Sequence, residues 1–189
     1  MKENDWTQTI CDKLAKDLNG DLHAETLRRL PYENTISGYK GENWDSQYAE
    51  PSLFETDLVV YEAVGEIIKP RVIVEAKIKK VTTHDAITYS YKAQKHKEIT
   101  PYLRYGIMLG DRGDFSLPVR LFKHGASFDF MFSFEGEKPT EKEWSAFLEM
   151  IENEVDYSRQ IEALLSESGK KDRKHYFMIQ KQLVVEEVE

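Results

Sequence analysis

Two neighbouring apolar segments that contain charged residues constrain the fold more than any other feature. The stretch ETDLVVYEAVGEIIKPRVIVEAKIKK, residues 55–80, has two runs rich in Val and Ile on either side of a turn expected near Pro70. Such runs, separated by turn residues, are typical of paired strands. Asp57 lies in the first run, and Glu75 and Lys77 lie in the second, where a buried strand would carry apolar residues. The sequence therefore predicts a β-hairpin that carries three ionisable side chains.

The alternation of side chains along the second strand predicts where these charges point. Successive side chains of a strand face opposite sides of the sheet. One face is wholly apolar and is expected to meet the core; it comprises Val72, Val74, Ala76 and Ile78. The other face carries Glu75 and Lys77 side by side, and the antiparallel first strand can set Asp57 next to Glu75. The hairpin is thus expected to hold two carboxylates and one ammonium group on one face.

The expected pair of Asp57 and Glu75 needs a counter-charge, because two adjacent carboxylates repel one another and burial strengthens the repulsion. Mg²⁺ removes this conflict, since it binds one or two carboxylates together with water and substrate phosphate. A neighbouring lysine can then stabilise charge on a phosphate or position an attacking water. The pattern therefore favours metal-assisted hydrolysis of a phosphodiester. The alternative is a sheet face with ordinary cross-strand ion pairs, which contribute about 0.2–1 kcal/mol each.

The combination of TD at 56–57 and EAK at 75–77 resembles the PD-(D/E)xK nuclease superfamily, which includes many restriction endonucleases and resolvases. The similarity covers residues 5–110 in the order helix, strands, motif strand, helix, strand. Thr56 stands where the motif has proline. A second acidic–x–Lys tripeptide, DRK at 172–174, lies in a polar break with no upstream strand acid, and we set it aside.

The resemblance implies a role for each matching residue. The implied ligands of Mg²⁺, for which Mn²⁺ can substitute, are Asp57, Glu75 and the carbonyl of Ala76. Lys77 would support the nucleophilic water as a catalytic residue. Some members of the superfamily add a glutamate from the first helical region, for which Glu25 is the first candidate here and Glu33 the second.

Composition and length indicate one ordinary globular domain over residues 1–189. The chain is 40% apolar and 12% aromatic, which is typical of a folded protein. Its one cysteine, Cys11, excludes an intrachain disulfide and a cysteine-rich zinc site. No signal-peptide-like segment and no run approaching 18 apolar residues is present, so we expect a soluble cytoplasmic protein without a membrane partner.

The charge is distributed unevenly along the chain. Residues 68–104 contain nine Lys or Arg against three Asp or Glu, so the rest must carry −14 to give the total of −8. A basic segment inside an acidic protein favours one face specialised for phosphate contacts. The expected DNA-binding residues are Lys79, Lys80, Lys92, Gln94, Lys95 and Lys97. The alternative is a helix face that is merely solvated by lysine.

The remaining patterns predict an α/β (α+β) fold with a central mixed sheet flanked by helices, as in a restriction-endonuclease-like core. Helices are expected over residues 5–19 and 84–99, the second capped by Thr82 or Thr83, and a buried strand follows at RYGIMLG. The expected C-terminal extension, about residues 117–189, comprises a hairpin marked by alternating Phe, a helix over 140–165 with Thr140 and Glu143 at capping-box spacing, and a last strand at YFMIQKQLVV.

Residues 31–54 are rich in Gly, Asn and aromatic residues and are expected to form a long loop. Tyr39 and Trp44 in this segment can stack on DNA. Because acidic residues outnumber lysine there, a packing or dimer-contact role is favoured instead.

These features together predict a Mg²⁺-dependent DNA endonuclease, a type II restriction enzyme or its catalytic subunit. Two alternatives stay open: a structure-selective resolvase or repair nuclease, and a non-catalytic nucleic-acid-binding module on the same fold. The net charge of −8 favours the last of these. Cleavage of both strands of a duplex would require two active sites, so a homodimer or a partner subunit is expected by analogy.

Overall fold

The computed structural model describes residues 1–42, 44, 46–113 and 116–167, followed by 169, 171, 178–179 and 183–185. Its helices are α1 (Glu3–Asp17), α2 (Thr83–Ile99), α3 (Val119–His124) and α4 (Glu141–Glu167). Its strands are β1 (Leu22–Thr26), β2 (Arg29–Lys40), β3 (Ser46–Glu55), β4 (Leu58–Val64), β5 (Ile67–Ile78), β6 (Arg104–Gly110) and β7 (Phe130–Ser133). Within this described part of the chain, no helix is long and apolar enough to cross a membrane.

A mixed five-stranded sheet forms the centre of the fold. Its strand order is β1-β4-β5-β6-β7, with antiparallel pairing from β1 to β5 and parallel pairing from β5 to β7. Helices α1 and α4 cover one face, and α2 and α3 cover the other. The expectation of a mixed α/β fold with a central sheet flanked by helices is therefore confirmed.

The apolar face of β5 meets the core as the alternation predicts. Val72, Val74 and Ala76 are fully buried in one cluster with side chains from α1 and α4. From α1 these are Trp6, Ile10 and Leu14, and from α4 they are Trp144, Phe147, Ile151 and Val155. Both helices thus cover the sheet with the apolar stripes that their sequences show.

The turn between β4 and β5 lies earlier than expected. It is formed at Gly65, whose φ of 61° suits a tight turn, rather than near Pro70. Pro70 lies inside β5 at a bulge, because Val60 pairs with Val72 while Tyr61 pairs with Pro70. Proline lacks the N–H that a regular ladder needs, and a bulge is one of the few positions where a strand tolerates it.

The prediction of a long loop over residues 31–54 is wrong, because β2 and β3 pair there as a separate antiparallel ribbon. Most side chains of the ribbon are exposed on both faces, so the sequence lacks the apolar alternation that marks a half-buried strand. At the end near the domain, the rings of Tyr32 and Phe54 stack with centroids 3.6 Å apart, and both adjoin the ring of His96 on α2. The aromatic residues Tyr39 and Trp44 lie at the exposed end.

The predicted hairpin after residue 117 is also wrong. Its first part forms the short helix α3, and its second part, β7, pairs in parallel with β6. The alternation of Phe130, Phe132 and Phe134 correctly indicates one buried strand face, packed against the core shared with α1 and α4. Alternation identifies a strand but not its neighbour, and the neighbour here comes from a distant segment.

The helix caps form as their spacing predicts. The Thr82 side chain accepts a hydrogen bond from the Asp85 N–H, and the Asp85 side chain accepts one from the Thr82 N–H. Thr140 and Glu143 form the same reciprocal arrangement at the start of α4. Five of the ten residues of the expected last strand lie outside the described residues and the other five are not in a strand, while the DRK tripeptide at 172–174 lies wholly outside them.

Candidate functional site

The register of the β4–β5 hairpin brings Asp57 and Glu75 together. Leu58 pairs with Val74, so the next positions outward, 57 and 75, face each other across the two chain segments. Asp57 Oδ2 accepts a 2.8 Å hydrogen bond from the backbone N–H of Ala76. Glu75 is fully buried, whereas Asp57 is half-buried. The pair is therefore approached from the Asp57 side.

The surroundings of Glu75 oppose its ionisation. Burial, and then the charge of Asp57, raise the pKa of Glu75 to about 7. Lys92 Nζ lies 3.5 Å from Glu75 Oε1, and the Tyr105 hydroxyl donates a hydrogen bond to the same oxygen. These two contacts act to lower the pKa but do not outweigh burial. Glu75 is therefore a carboxyl group that titrates near neutral pH.

The second oxygen of Glu75, Oε2, is buried and has no hydrogen-bond partner in the described part of the chain. A buried carboxylate oxygen without a partner costs free energy, and the adjacent Asp57 adds repulsion. A divalent cation between the two carboxylates would satisfy this oxygen and neutralise the repulsion. The donor set therefore fits a cation such as Mg²⁺.

The protein supplies few ligands for such a cation. The described residues include no group of three or more His, Cys, Asp or Glu side chains placed to hold a metal. Two carboxylates suffice for Mg²⁺, which usually retains several waters and binds substrate phosphate. The Ala76 N–H contacts Asp57, and the role of the Ala76 carbonyl as a metal ligand stays a prediction.

Lys77 is held by an acid that the sequence analysis does not consider. Lys77 Nζ lies 2.7 Å from Glu3 Oε1, and the N–H of Ile78 donates to Glu3 Oε2 at 3.4 Å. Burial by itself lowers the pKa of Lys77, but the hydrogen bonds to Glu3 and Tyr89 raise it above its ordinary value. Lys77 is therefore a fixed cation at neutral pH.

A glutamate of the first helix, Glu3, contacts Lys77, whereas Glu25, the first candidate for an added glutamate, lies outside that helix. Glu25 lies on β1, where its carboxylate accepts hydrogen bonds from Arg28 and from the Tyr61 hydroxyl. Glu33, the second candidate, is exposed on β2. Helix α1 begins at Glu3, two residues before the expected start, which places Glu3 in the first helix.

Tyr89 and Lys92 of α2 complete the cluster. The Nζ atoms of Lys77 and Lys92 lie 5.3 Å and 5.1 Å from the centroid of the Tyr89 ring. Burial raises the pKa of Tyr89 to about 12, against the opposing effect of Lys77, so its hydroxyl stays neutral. Lys92, expected at a DNA-facing surface, has a side chain only 17% exposed that points to Glu75.

The outer face of α2 offers less free positive charge than its sequence indicates. Lys95 pairs with Glu98 at 2.8 Å, and Gln94 donates to the same carboxylate at 3.1 Å. Lys97 pairs with Asp129 at 2.7 Å. These acidic partners largely neutralise the positive charge that was expected to contact phosphates on this helix.

Lys79 and Lys80 are both exposed just beyond the end of β5. Lys79 has a φ of 64° and lies with Nζ 3.2 Å from Asp111 Oδ2. These two residues therefore keep the surface position that the sequence analysis expects.

Compared with known proteins, the chain matches no protein-family model and no curated protein sequence. Its function is therefore inferred from the residues and their geometry.

The structure adds Glu3, Tyr89 and Tyr105 to the residues that the sequence identifies. Tyr89 and Lys92 are three positions apart and share a helix face with the small buried residues Ala86 and Ala93. That spacing is a signal from which their inward direction can be inferred. No comparable local signal exists for Glu3, which lies in the exposed first turn of α1.

Proposed function

We propose that the chain is a Mg²⁺-dependent endonuclease that hydrolyses DNA phosphodiester bonds, as a type II restriction enzyme or its catalytic subunit. The observation that carries the proposal is the buried carboxyl group of Glu75, which adjoins Asp57 and leaves Oε2 without a hydrogen-bond partner in the described residues. A fold retains so unfavourable a pair where function requires it. A cation and a phosphate are the ligands that such a pair with an adjacent lysine suits.

Each residue of the candidate site has a separate role in the proposed reaction. Asp57 and Glu75 would hold the metal, which when bound polarises the phosphate and lowers the pKa of water. Lys77, kept protonated and positioned by Glu3, would orient the attacking water or stabilise the charge that develops on the phosphorus oxygens. The water oxygen forms a bond to phosphorus while the bond to the 3′ oxygen breaks and that oxygen takes up a proton. The products are 5′-phosphate and 3′-hydroxyl ends.

The order of elements supports a restriction-endonuclease-like core. Helix α1, strands β1, β4 and β5, helix α2 and strand β6 follow one another as the motif resemblance implies, with the β2–β3 ribbon inserted. The acidic–x–Lys motif lies on β5, in the middle of the sheet.

The charge of the chain bears on the non-catalytic alternative. A net charge of −8 suits a module that works within a larger assembly better than an autonomous DNA-binding enzyme. The nuclease hypothesis and the binding-module hypothesis differ in whether activity depends on metal and on Asp57.

A nuclease that cuts both strands would also act as a homodimer or with a partner subunit. Light scattering during gel filtration measures the oligomeric state directly.

The test compares the wild-type chain with Asp57→Asn and Asp156→Asn variants on mixed plasmid and phage DNA, with Mg²⁺ and with EDTA. We expect cleavage that requires Mg²⁺ and falls at least about a hundredfold in Asp57→Asn, because one metal ligand is lost. Asp156 is 62% exposed on α4, which covers the face of the sheet opposite α2, and serves as the matched control, with activity retained.

The pattern of products separates the open alternatives. Discrete bands indicate sequence-specific cleavage, whereas a smear or selective cutting of branched DNA indicates a repair nuclease or resolvase. If Mg²⁺ produces no cleavage while DNA binding is intact, the enzyme proposal is wrong and the binding module remains.

A further inference from the structure

Six exposed basic side chains cluster beside the candidate site, on the loop after β5, the first turn of α2 and helix α3. They are Lys79, Lys80, His84, Arg120, Lys123 and His124, and we call them the β5–α3 surface. Lys123 and His124 line a shallow hollow of about 460 Å³ together with Thr83 and Arg120. Three of the six come from α3, a segment that the sequence analysis assigns to a hairpin.

Packing fixes α3 against the loop after β5. Leu121 is fully buried in one cluster with Val81 and Ala86, which lie on either side of the start of α2. Arg120 Nη1 donates a 2.9 Å hydrogen bond to the carbonyl of Val81. The charged residues of α3 therefore have a defined position next to Lys80.

The β5–α3 surface adjoins the candidate site directly. Lys79 follows Lys77 by two residues, and Lys79 N–H donates to the carbonyl of Gly110 at 2.8 Å, which holds the chain at the end of the sheet. Tyr89, whose ring adjoins Lys77, packs against the cluster that contains Leu121. A ligand on this surface would thus reach Lys77 and the carboxylates.

The charges of the β5–α3 surface are less neutralised than those of α2. The described acids next to it are Asp111, which pairs with Lys79, and Asp85, which is bound by the cap residue Thr82. Lys80, Arg120 and Lys123 face solvent in a protein whose net charge is −8. Such a local excess of positive charge is complementary to a dense array of phosphates.

We infer that the β5–α3 surface, rather than the outer face of α2, binds the backbone of duplex DNA and leads it to the Asp57–Glu75 pair. Lysine and arginine contact phosphates without reading sequence, and a duplex presents the higher density of phosphate charge. Single-strand binding usually requires a series of aromatic platforms. Among the described residues of α3, Phe122 is the exposed aromatic side chain, at 64%. This inference rests on the proposed nuclease function for its substrate, but its test does not require cleavage.

The test measures binding of a labelled DNA duplex in EDTA by fluorescence anisotropy over a range of salt concentrations. The variant is Lys80→Gln with Lys123→Gln, two exposed residues of the β5–α3 surface. The control is Lys16→Gln with Lys142→Gln, which makes the same charge change on exposed residues of α1 and α4, across the sheet. We expect about tenfold weaker binding and a salt slope smaller by about 2 for the variant, and wild-type binding for the control.

A third variant, Lys95→Gln, tests the outer face of α2, and we expect it to bind the DNA duplex as tightly as the wild type. Equal binding by wild type and the Lys80/Lys123 variant would overturn the inference, as would equal loss in the control. Equal affinity for single-stranded DNA or RNA of the same length would overturn the assignment to a duplex.

Cleavage assays on the same variants keep the two proposals separate. Mg²⁺- and Asp57-dependent cleavage with unchanged binding of the Lys80/Lys123 variant overturns the surface and leaves the nuclease. Weakened binding of that variant without any metal-dependent cleavage supports the surface and overturns the nuclease.

Discussion

Glu75 is a carboxyl group whose position opposes the stability of the fold. It is fully buried and lies against Asp57, and its polar contacts in the described part of the chain are Lys92 and Tyr105, both at one oxygen. A structural ion pair would lower the pKa of the acid, whereas burial and Asp57 raise the pKa of Glu75 to about 7. What distinguishes Glu75 is the adjacent carboxylate of Asp57 and the lack of a hydrogen-bond partner for Oε2 among the described residues, because burial also raises the pKa of Glu154, which pairs with Arg104.

Replacement of Glu75 by Gln should stabilise the protein at alkaline pH. Between the unfolded pKa of 4.5 and the folded pKa of about 7, the folded chain retains a proton that the unfolded chain has lost. The unfolding free energy of the wild type therefore falls as pH rises through this window, by on the order of 1–3 kcal/mol. Glu75→Gln should lack this fall, and urea melts at pH 4 and pH 8 measure it.

A Glu75→Gln variant that is less stable than wild type at pH 8 would contradict this account. It would show that the ionised carboxylate is held by Lys92 as an ordinary buried ion pair. Tyr105→Phe is the companion variant, because it removes one donor to Glu75 and should raise the pKa of Glu75 further.

The contact between α1 and the end of β6 fixes the position of Glu3 relative to Lys77. Trp6 is fully buried and its Nε1 donates to the carbonyl of Glu137 at 2.8 Å. A Cβ added at Gly110 would lie 2.4 Å from the Trp6 ring, so the helix packs directly against the strand backbone there. Because Glu3 is one turn before Trp6, this contact also positions the partner of Lys77.

Gly110→Ala should therefore destabilise the fold by about 1–3 kcal/mol, since the Trp6 ring has to move to admit the methyl group. Gly136→Ala is the control, because the nearest atom to its added Cβ is at an ordinary 3.6 Å. Urea denaturation measures both. Equal stabilities for the two variants would show that α1 can shift on the sheet without cost.

A buried network of charges joins α4 to the sheet across the whole molecule. Arg71, at the bulge of β5, is 3% exposed and lies with Nη2 2.6 Å from Glu62 and 2.7 Å from Glu162 of α4. Arg159 also pairs with Glu62, at 2.5 Å. The network replaces apolar packing along the C-terminal half of α4 and fixes how this long helix lies on the sheet.

Arg71→Met should destabilise the protein by on the order of 3 kcal/mol, because it removes the buried cation beside Glu62 and leaves that carboxylate with the more exposed Arg159 alone among the described residues. Lys69→Met is the matched variant, since Lys69 contacts the same Glu162 from a more exposed position. Its loss should cost below about 1 kcal/mol. A comparable loss of stability in both variants, measured by thermal or urea unfolding, would show that burial does not govern this network.

Elements marked by local periodicity and capping are predicted correctly from the sequence. The apolar stripe of α1, the two faces of β5, and the reciprocal caps at Thr82 and Thr140 all involve residues a few positions apart. Turn signals and side-chain alternation operate over the same short range. The carboxylate pair can also be predicted from the sequence, because one hairpin register sets residue 57 opposite residue 75.

Contacts between residues far apart in the chain could not be predicted from the sequence and are defined by the tertiary structure. The salt bridge between Lys77 and Glu3 joins residues 74 positions apart, and β7 pairs in parallel with a strand from a distant segment. Lys92 turns towards Glu75 only because β5 lies beneath α2. Periodicity shows which face of an element is apolar, but the packing of whole elements selects the partner of each charged side chain.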